Sequence, residues 1–150
     1  DEPGVNDLEQ IAAAIARGRA VALFALDYDG RRSCEPADPD DACVHAAFDA
    51  HQCRDKGFGP ALGPRAAAYA ARALQRRGYR VERARADWRL GAADAALQAE
   101  LLRGWAGAAA EAAPESREAI DAWLGRRLAQ LGSRRLRLTV GHADLLAVPL

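Results

Sequence analysis

Ala20-Val21-Ala22-Leu23-Phe24-Ala25-Leu26 is the stretch on which the reading of the fold turns. It is too short for a helix of its own and is bounded by Gly18 before it and Asp27-Tyr28-Asp29-Gly30 after it, which is the punctuation of a strand. An unbroken apolar run, without alternation, marks a strand covered on both faces. Such a strand needs helices above and below, so the expected class is an α/β sheet.

Working outward, Leu8, Ile11, Ala12 and Ile15 recur at helical spacing, with Asn6 and Asp7 as N-caps, and predict a helix over 8–17. Residues 30–40, with Gly30, Pro36 and Pro39 among polar side chains, read as loop. Asp40 or Asp41 caps a helix running to about Arg54, and the glycine- and proline-rich turn of 57–64 leads into an alanine-rich helix over 64–77. Tyr79 to Ala86 alternates as a strand. Two helices follow, split by Pro114, with Trp105 and Trp123 on their apolar stripes as core anchors. Arg137–Val140 and Ala143–Val148 are extended segments around Gly141-His142.

The 150 residues suit one globular domain, 1–150. No stretch approaches the ~20 apolar residues of a membrane span and no signal peptide opens the chain, so a cytoplasmic location is expected. The 21 basic residues balance 21 acidic ones, which argues against nucleic acid or an anionic membrane as partner. Every basic residue but Lys56 is arginine, the signature of a GC-rich coding sequence rather than of phosphate recognition. The chain contains no methionine and opens Asp1-Glu2-Pro3; a longer open reading frame is the expectation.

Several motifs carry candidate chemistry. The strand ending in Asp27-Tyr28-Asp29-Gly30 resembles the first motif of haloacid-dehalogenase-like phosphatases, which implies Asp27 as nucleophile, Asp29 as general acid/base and a magnesium ion. Arg31 stands where that family has threonine or serine. The glycines of Gly57-Phe58-Gly59-Pro60-Ala61-Leu62-Gly63 follow a polar helix end instead of a buried strand, so they read as a turn, not a dinucleotide loop. Cys34, Cys43, His45, His51 and Cys53 offer ligand types for zinc, but positions 43, 45, 51 and 53 of one helix point around most of its circumference. No metal site is therefore expected. Three cysteines at these spacings form no disulfide framework.

A more extensive resemblance runs through the chain. Ala73-Leu74-Gln75-Arg76-Arg77-Gly78-Tyr79-Arg80-Val81 resembles the late helix and glycine-aromatic entry to the sixth strand of class I S-adenosylmethionine-dependent methyltransferases. His51-Gln52, the stretch from Asp55 to Pro64, Asp87-Trp88-Arg89-Leu90-Gly91, Gly104-Trp105 and Gly141-His142-Ala143-Asp144-Leu145-Leu146 are similar, in order, to a bacterial group of these enzymes. The resemblance implies the C-terminal part of a three-layer Rossmann-like sheet. Residues 20–26 would be its fifth strand, 79–86 its sixth, and the C-terminal segment its seventh, antiparallel between the other two. Residues 92–131 would be a helical insertion before that last strand.

It also implies S-adenosylmethionine as cofactor and an unidentified methyl acceptor. The glycine loop and acidic strand end that grip the cofactor would lie in a missing N-terminal half of the same fold, the implied partner. No cofactor-binding or catalytic residue can be assigned on these residues. For the substrate wall the resemblance implies Tyr28 and Asp29, at the carboxyl end of the fifth strand, and His51, Asp55, Lys56 and Phe58 bordering the glycine turn. A non-catalytic, alanine-rich helical interaction module is a third class consistent with the composition.

Overall fold

In the computed structural model, which describes residues 3–55, 57 and 59–150 (without the side chains of 3–6 and 26), the apolar run opens a much longer strand, β1 (Ala22–Glu35). Among the described residues the chain is mixed α/β, with five α-helices and four strands in an open antiparallel sheet. The remaining elements in order are α1 (Pro3–Arg17), α2 (Asp41–Gln52), α3 (Ala66–Gln75), β2 (Tyr79–Arg85), β3 (Trp88–Leu90), α4 (Ala95–Ala112), α5 (Arg117–Gly132) and β4 (Arg137–Pro149).

Two expectations fail for physical reasons. Residues 30–35 were read as loop but are strand, because their charges find partners: Arg31 pairs with Asp29 and Asp87, and Arg32 with Asp49. The apolar run is covered on one face only. Ala22 and Phe24 pack against helices, while Leu23 between them is 68% exposed. A minor difference is β3, which sequence patterning did not separate from its surroundings because three residues carry no period.

The chain gathers into two compact units. The first comprises residues 1–31, 53–87 and 141–150. Its strand order is β1-β4-β2, and β2 pairs antiparallel with β4 from Tyr79 opposite Pro149 to Arg85 opposite Ala143. The last strand thus sits between the two earlier ones. Helices α1 and α3 pack on each other and on one sheet face, where Ala12, Ala73, Leu74, Tyr79, Leu145 and Ala147 are buried. Period-two alternation assigns the faces: Leu145 and Ala147 are buried, whereas Leu146 is 38% exposed opposite Glu82. Burying a residue such as Leu74 contributes about 2 kcal/mol relative to leaving it in water. The helices are tied by Glu9, which pairs with Arg76 and Arg77, and by Tyr79, whose hydroxyl donates to the Ile15 carbonyl at 3.0 Å.

The second unit comprises residues 32–52 and 88–140. Helix α4 packs on α2 and on α5, and β3 pairs antiparallel with the start of β4 from Trp88 opposite Val140 to Leu90 opposite Leu138. Trp105 and Trp123 are buried, as their stripes require, and so are Val44, Leu102, Ile120 and Leu138 of the same unit. Arg127 is fully buried too. Its guanidinium donates to the Pro36 carbonyl at 2.6 Å, to Gln130 Oε1 at 2.7 Å and to the Asp41 carboxylate, so the charge is compensated where it sits.

Gly141 marks the closest approach in the first unit. A Cβ there would lie 2.3 Å from Asp29 Oδ1, 2.7 Å from Arg31 Cβ and 3.0 Å from the Arg31 carbonyl oxygen. Two of those atoms belong to or adjoin the backbone and cannot swing away. Gly141→Ala is expected to cost about 3 kcal/mol, read as a lower urea midpoint at unchanged m-value; a midpoint equal to that of the parent would refute the close approach.

Candidate functional site

The polar residues of the first unit converge around the middle of β1. Strand pairing brings Asp29 and Arg31 beside Gly141, and the link after β2 delivers Asp87 to the same place. Arg31 Nε donates to Asp29 Oδ2 at 2.9 Å, its Nη1 to Asp87 Oδ2 at 3.1 Å, and its Nη2 to Asp87 Oδ1 at 2.7 Å and to Asp29 as well. One guanidinium is thereby clamped between two carboxylates, the forked geometry that arginine alone provides. The clamp extends into backbone: the Arg31 amide donates to Asp29 Oδ1 at 3.0 Å, the His142 amide to Asp87 Oδ1 at 3.4 Å, and the Ala86 amide to the His142 carbonyl at 3.0 Å. Hydrogen bonds from Arg31 hold the Asp87 carboxyl below its ordinary range, overcoming a smaller opposing effect of burial.

Asp27 has a different environment. Burial raises its pKa, the nearby Asp144 carboxylate raises it further, and His142 opposes both. A carboxyl so placed takes up a proton more readily than an ordinary aspartate, the property a proton acceptor needs. A shallow depression of about 320 Å³ in the first unit is lined by Asp29, Arg31, Arg83, Ala84, Arg85 and Ala143.

Of the six residues implied for the substrate wall, Tyr28, Asp29, His51 and Asp55 are described. Tyr28 and Asp29 lie in mid-strand, because β1 continues to Glu35 instead of ending at the acidic turn. Asp29 is spent on Arg31. Asp55 caps the glycine turn, its Oδ1 accepting from the amides of Gly57 at 2.7 Å and Gly59 at 2.8 Å. His51 belongs to the second unit, where its Nε2 lies 3.0 Å from Glu111 Oε2. Lys56 and Phe58 lie outside the described residues. Asp27 and Asp29, the pair that the phosphatase resemblance implied, both lie within β1, and Asp29 is engaged by Arg31.

Asp87, His142 and Asp144 were not singled out as site residues, although each sits in a stretch that carried the methyltransferase resemblance. Only strand pairing brings them to Asp27 and Arg31. No helix of the described residues is long and apolar enough to cross a membrane. No protein-family model matches the chain, and no curated protein matches it.

The clamp has a pH signature. Because the folded pKa of Asp87 lies below its ordinary 3.8, the stability it contributes is complete above about pH 4 and is lost as pH falls through the folded value. Urea midpoints measured between about pH 5 and about pH 3 are expected to fall less steeply in Arg31→Gln than in the parent. Parallel slopes would show that the clamp does not bias the titration.

Proposed function

We propose that the chain is the C-terminal, substrate-side portion of a class I S-adenosylmethionine-dependent methyltransferase. On this reading β1, β2 and β4 are the fifth, sixth and seventh strands, and α4 and α5 belong to an insertion before the last. The observation that carries it is the strand order β1-β4-β2 with β4 antiparallel to β2, which places the final strand between its two predecessors. Two further features support it. Helices α1 and α3 occupy one face of that sheet, while Leu23 and Leu146 are exposed on the other, where a three-layer fold has its second helical layer. The stretches around Asp87 and Gly141 that carried the resemblance meet in space at the Arg31 clamp.

The residues present do not fit the cofactor. The amides of Gly57 and Gly59 already donate to Asp55, and the carboxylate of Asp29 is held by Arg31, so neither is free to receive a nucleoside or its carboxylate. The grip on S-adenosylmethionine belongs elsewhere in the parent enzyme. This portion supplies Asp27, whose raised pKa suits it to take a proton from the acceptor, with His142 and Asp144 beside it. The transfer itself needs chiefly alignment of acceptor and donor.

The coding DNA immediately upstream of Asp1 tests the reading. It is expected to encode, in frame, a strand followed by a glycine loop and a second strand ending in an acidic residue. An in-frame stop codon or a sequence lacking these elements overturns it. Calorimetric titration of S-adenosylmethionine into the 150-residue chain is expected to show no binding; tight binding would place the cofactor grip on these residues and overturn the assignment.

A further inference from the structure

In the second unit, Cys34 at the end of β1 and Asp41 and His45 on α2 converge, so that one donor atom of each lies within 4.8 Å of the other two. Asp41 and His45 are four residues apart and share a helix face. Cys34 arrives from the strand, which is why helical spacing alone gave no metal set. Neither Cys43, Cys53 nor His51 belongs to this group. We propose that Cys34, Asp41 and His45 form a binding site for a borderline-soft divalent metal ion of the zinc type.

The donor set is the first argument. Thiolate, imidazole and carboxylate are each ordinary zinc ligands, and tetrahedral bonds of about 2.0–2.3 Å hold donors roughly 3.3–3.8 Å apart, so donors within 4.8 Å of one another close on an ion with shifts of at most about 1.5 Å. Secondly, His45 Nε2 is buried without a hydrogen-bond partner. A coordinate bond satisfies a nitrogen that the surrounding protein does not.

Thirdly, the Asp41 carboxylate is fixed in place by hydrogen bonds to both of its oxygens. Trp123 Nε1 donates to Oδ1 at 2.8 Å, the Asp38 amide to Oδ2 at 3.0 Å, and Arg127 to Oδ1. Hydrogen bonds of this kind aim and fix metal-ligating carboxylates. Fourthly, the charges favour it. Asp38, Asp40 and Asp41 are paired with only two guanidiniums, those of Arg126 and Arg127, leaving one negative charge. A divalent ion bound to an ionised Cys34 adds one positive charge and brings the group to neutrality. On binding, the sulfur–hydrogen bond of Cys34 is exchanged for a sulfur–metal bond and the proton leaves to solvent. Burial opposes that step by holding the thiol up at about 12, so the metal must supply the driving force. Three protein donors leave a fourth position open for water, as in catalytic rather than closed structural sites.

The test uses Cd2+ on a Cys43→Ser/Cys53→Ser background, which removes the two thiols outside the group. One equivalent is expected to produce the ultraviolet thiolate-to-cadmium charge-transfer band and to perturb the fluorescence of Trp105 and Trp123, whose rings lie 5.9 and 6.5 Å from that of His45. Adding Zn2+ should remove the band by competition. Cys34→Ser should abolish it, and His45→Gln, which keeps the thiol, should weaken Cd2+ binding at least about tenfold. No band in the background protein, a band that survives Cys34→Ser, or an affinity unchanged by His45→Gln would overturn the proposal. Should Cys34→Ser fail to fold, as judged by circular dichroism, the His45→Gln affinity decides. The outcome is independent of the methyltransferase reading.

Discussion

The first unit depends on one guanidinium held between two carboxylates against a residue with no side chain. Arg31 can pair with Asp29 and Asp87 together only because Gly141 leaves room for Asp29 Oδ1 and the Arg31 backbone. That contact fastens the middle of β1 to β4 and to the end of the β2 link. It also explains why a polar segment with two adjacent arginines remains a strand: its charges are compensated within hydrogen-bond distance, so extended backbone need not surrender them to water.

The second unit solves the same problem in its interior. Alanine-rich helices come close together but bury little area, and large side chains must fill what remains. Trp105 and Trp123 do so, and so does Arg127, whose aliphatic stem and guanidinium are both fully buried against Trp123 and Asp41. Arg32 likewise lies over the ring of Phe48, 4.4 Å from its centre, while pairing with Asp49. Breaking such a pair from one side leaves an uncompensated charge, which costs far more than the pair contributes when intact. These arginines therefore belong to the core of their unit even though their type predicts the surface.

Functionally, the three polar clusters differ in kind. Asp29, Arg31 and Asp87 satisfy one another and leave little for a ligand. Asp27, with Asp144 and His142 near, is pushed toward proton uptake, and Cys34, Asp41 and His45 bring three coordinating types together around an orphaned nitrogen. A buried nitrogen without a hydrogen-bond partner, as at His45, separates the metal candidate from a structural ion pair.

Periodicity and punctuation by themselves determined the helices and the main strands, because apolar spacing and glycine or proline breaks act locally: α3, α4, α5 and β2 fall close to where Leu74, Trp105, Pro114 and Gly78 place them. They also fixed the two tryptophans as core anchors. The extension of β1 past Gly30 and the exposure of Leu23 were not legible, since the first depends on Asp87, 56 positions from Arg31, and the second on which sheet face the chain covers. The same holds for the sites. Cys34, Asp41 and His45 stand within a dozen positions, yet only the turn from β1 into α2 brings their donors together, and Asp87 and Asp144 gain meaning only through strand pairing. Local sequence sets backbone preference; which charges meet is decided by chain packing, because electrostatic partnership depends on distance in space and not along the chain.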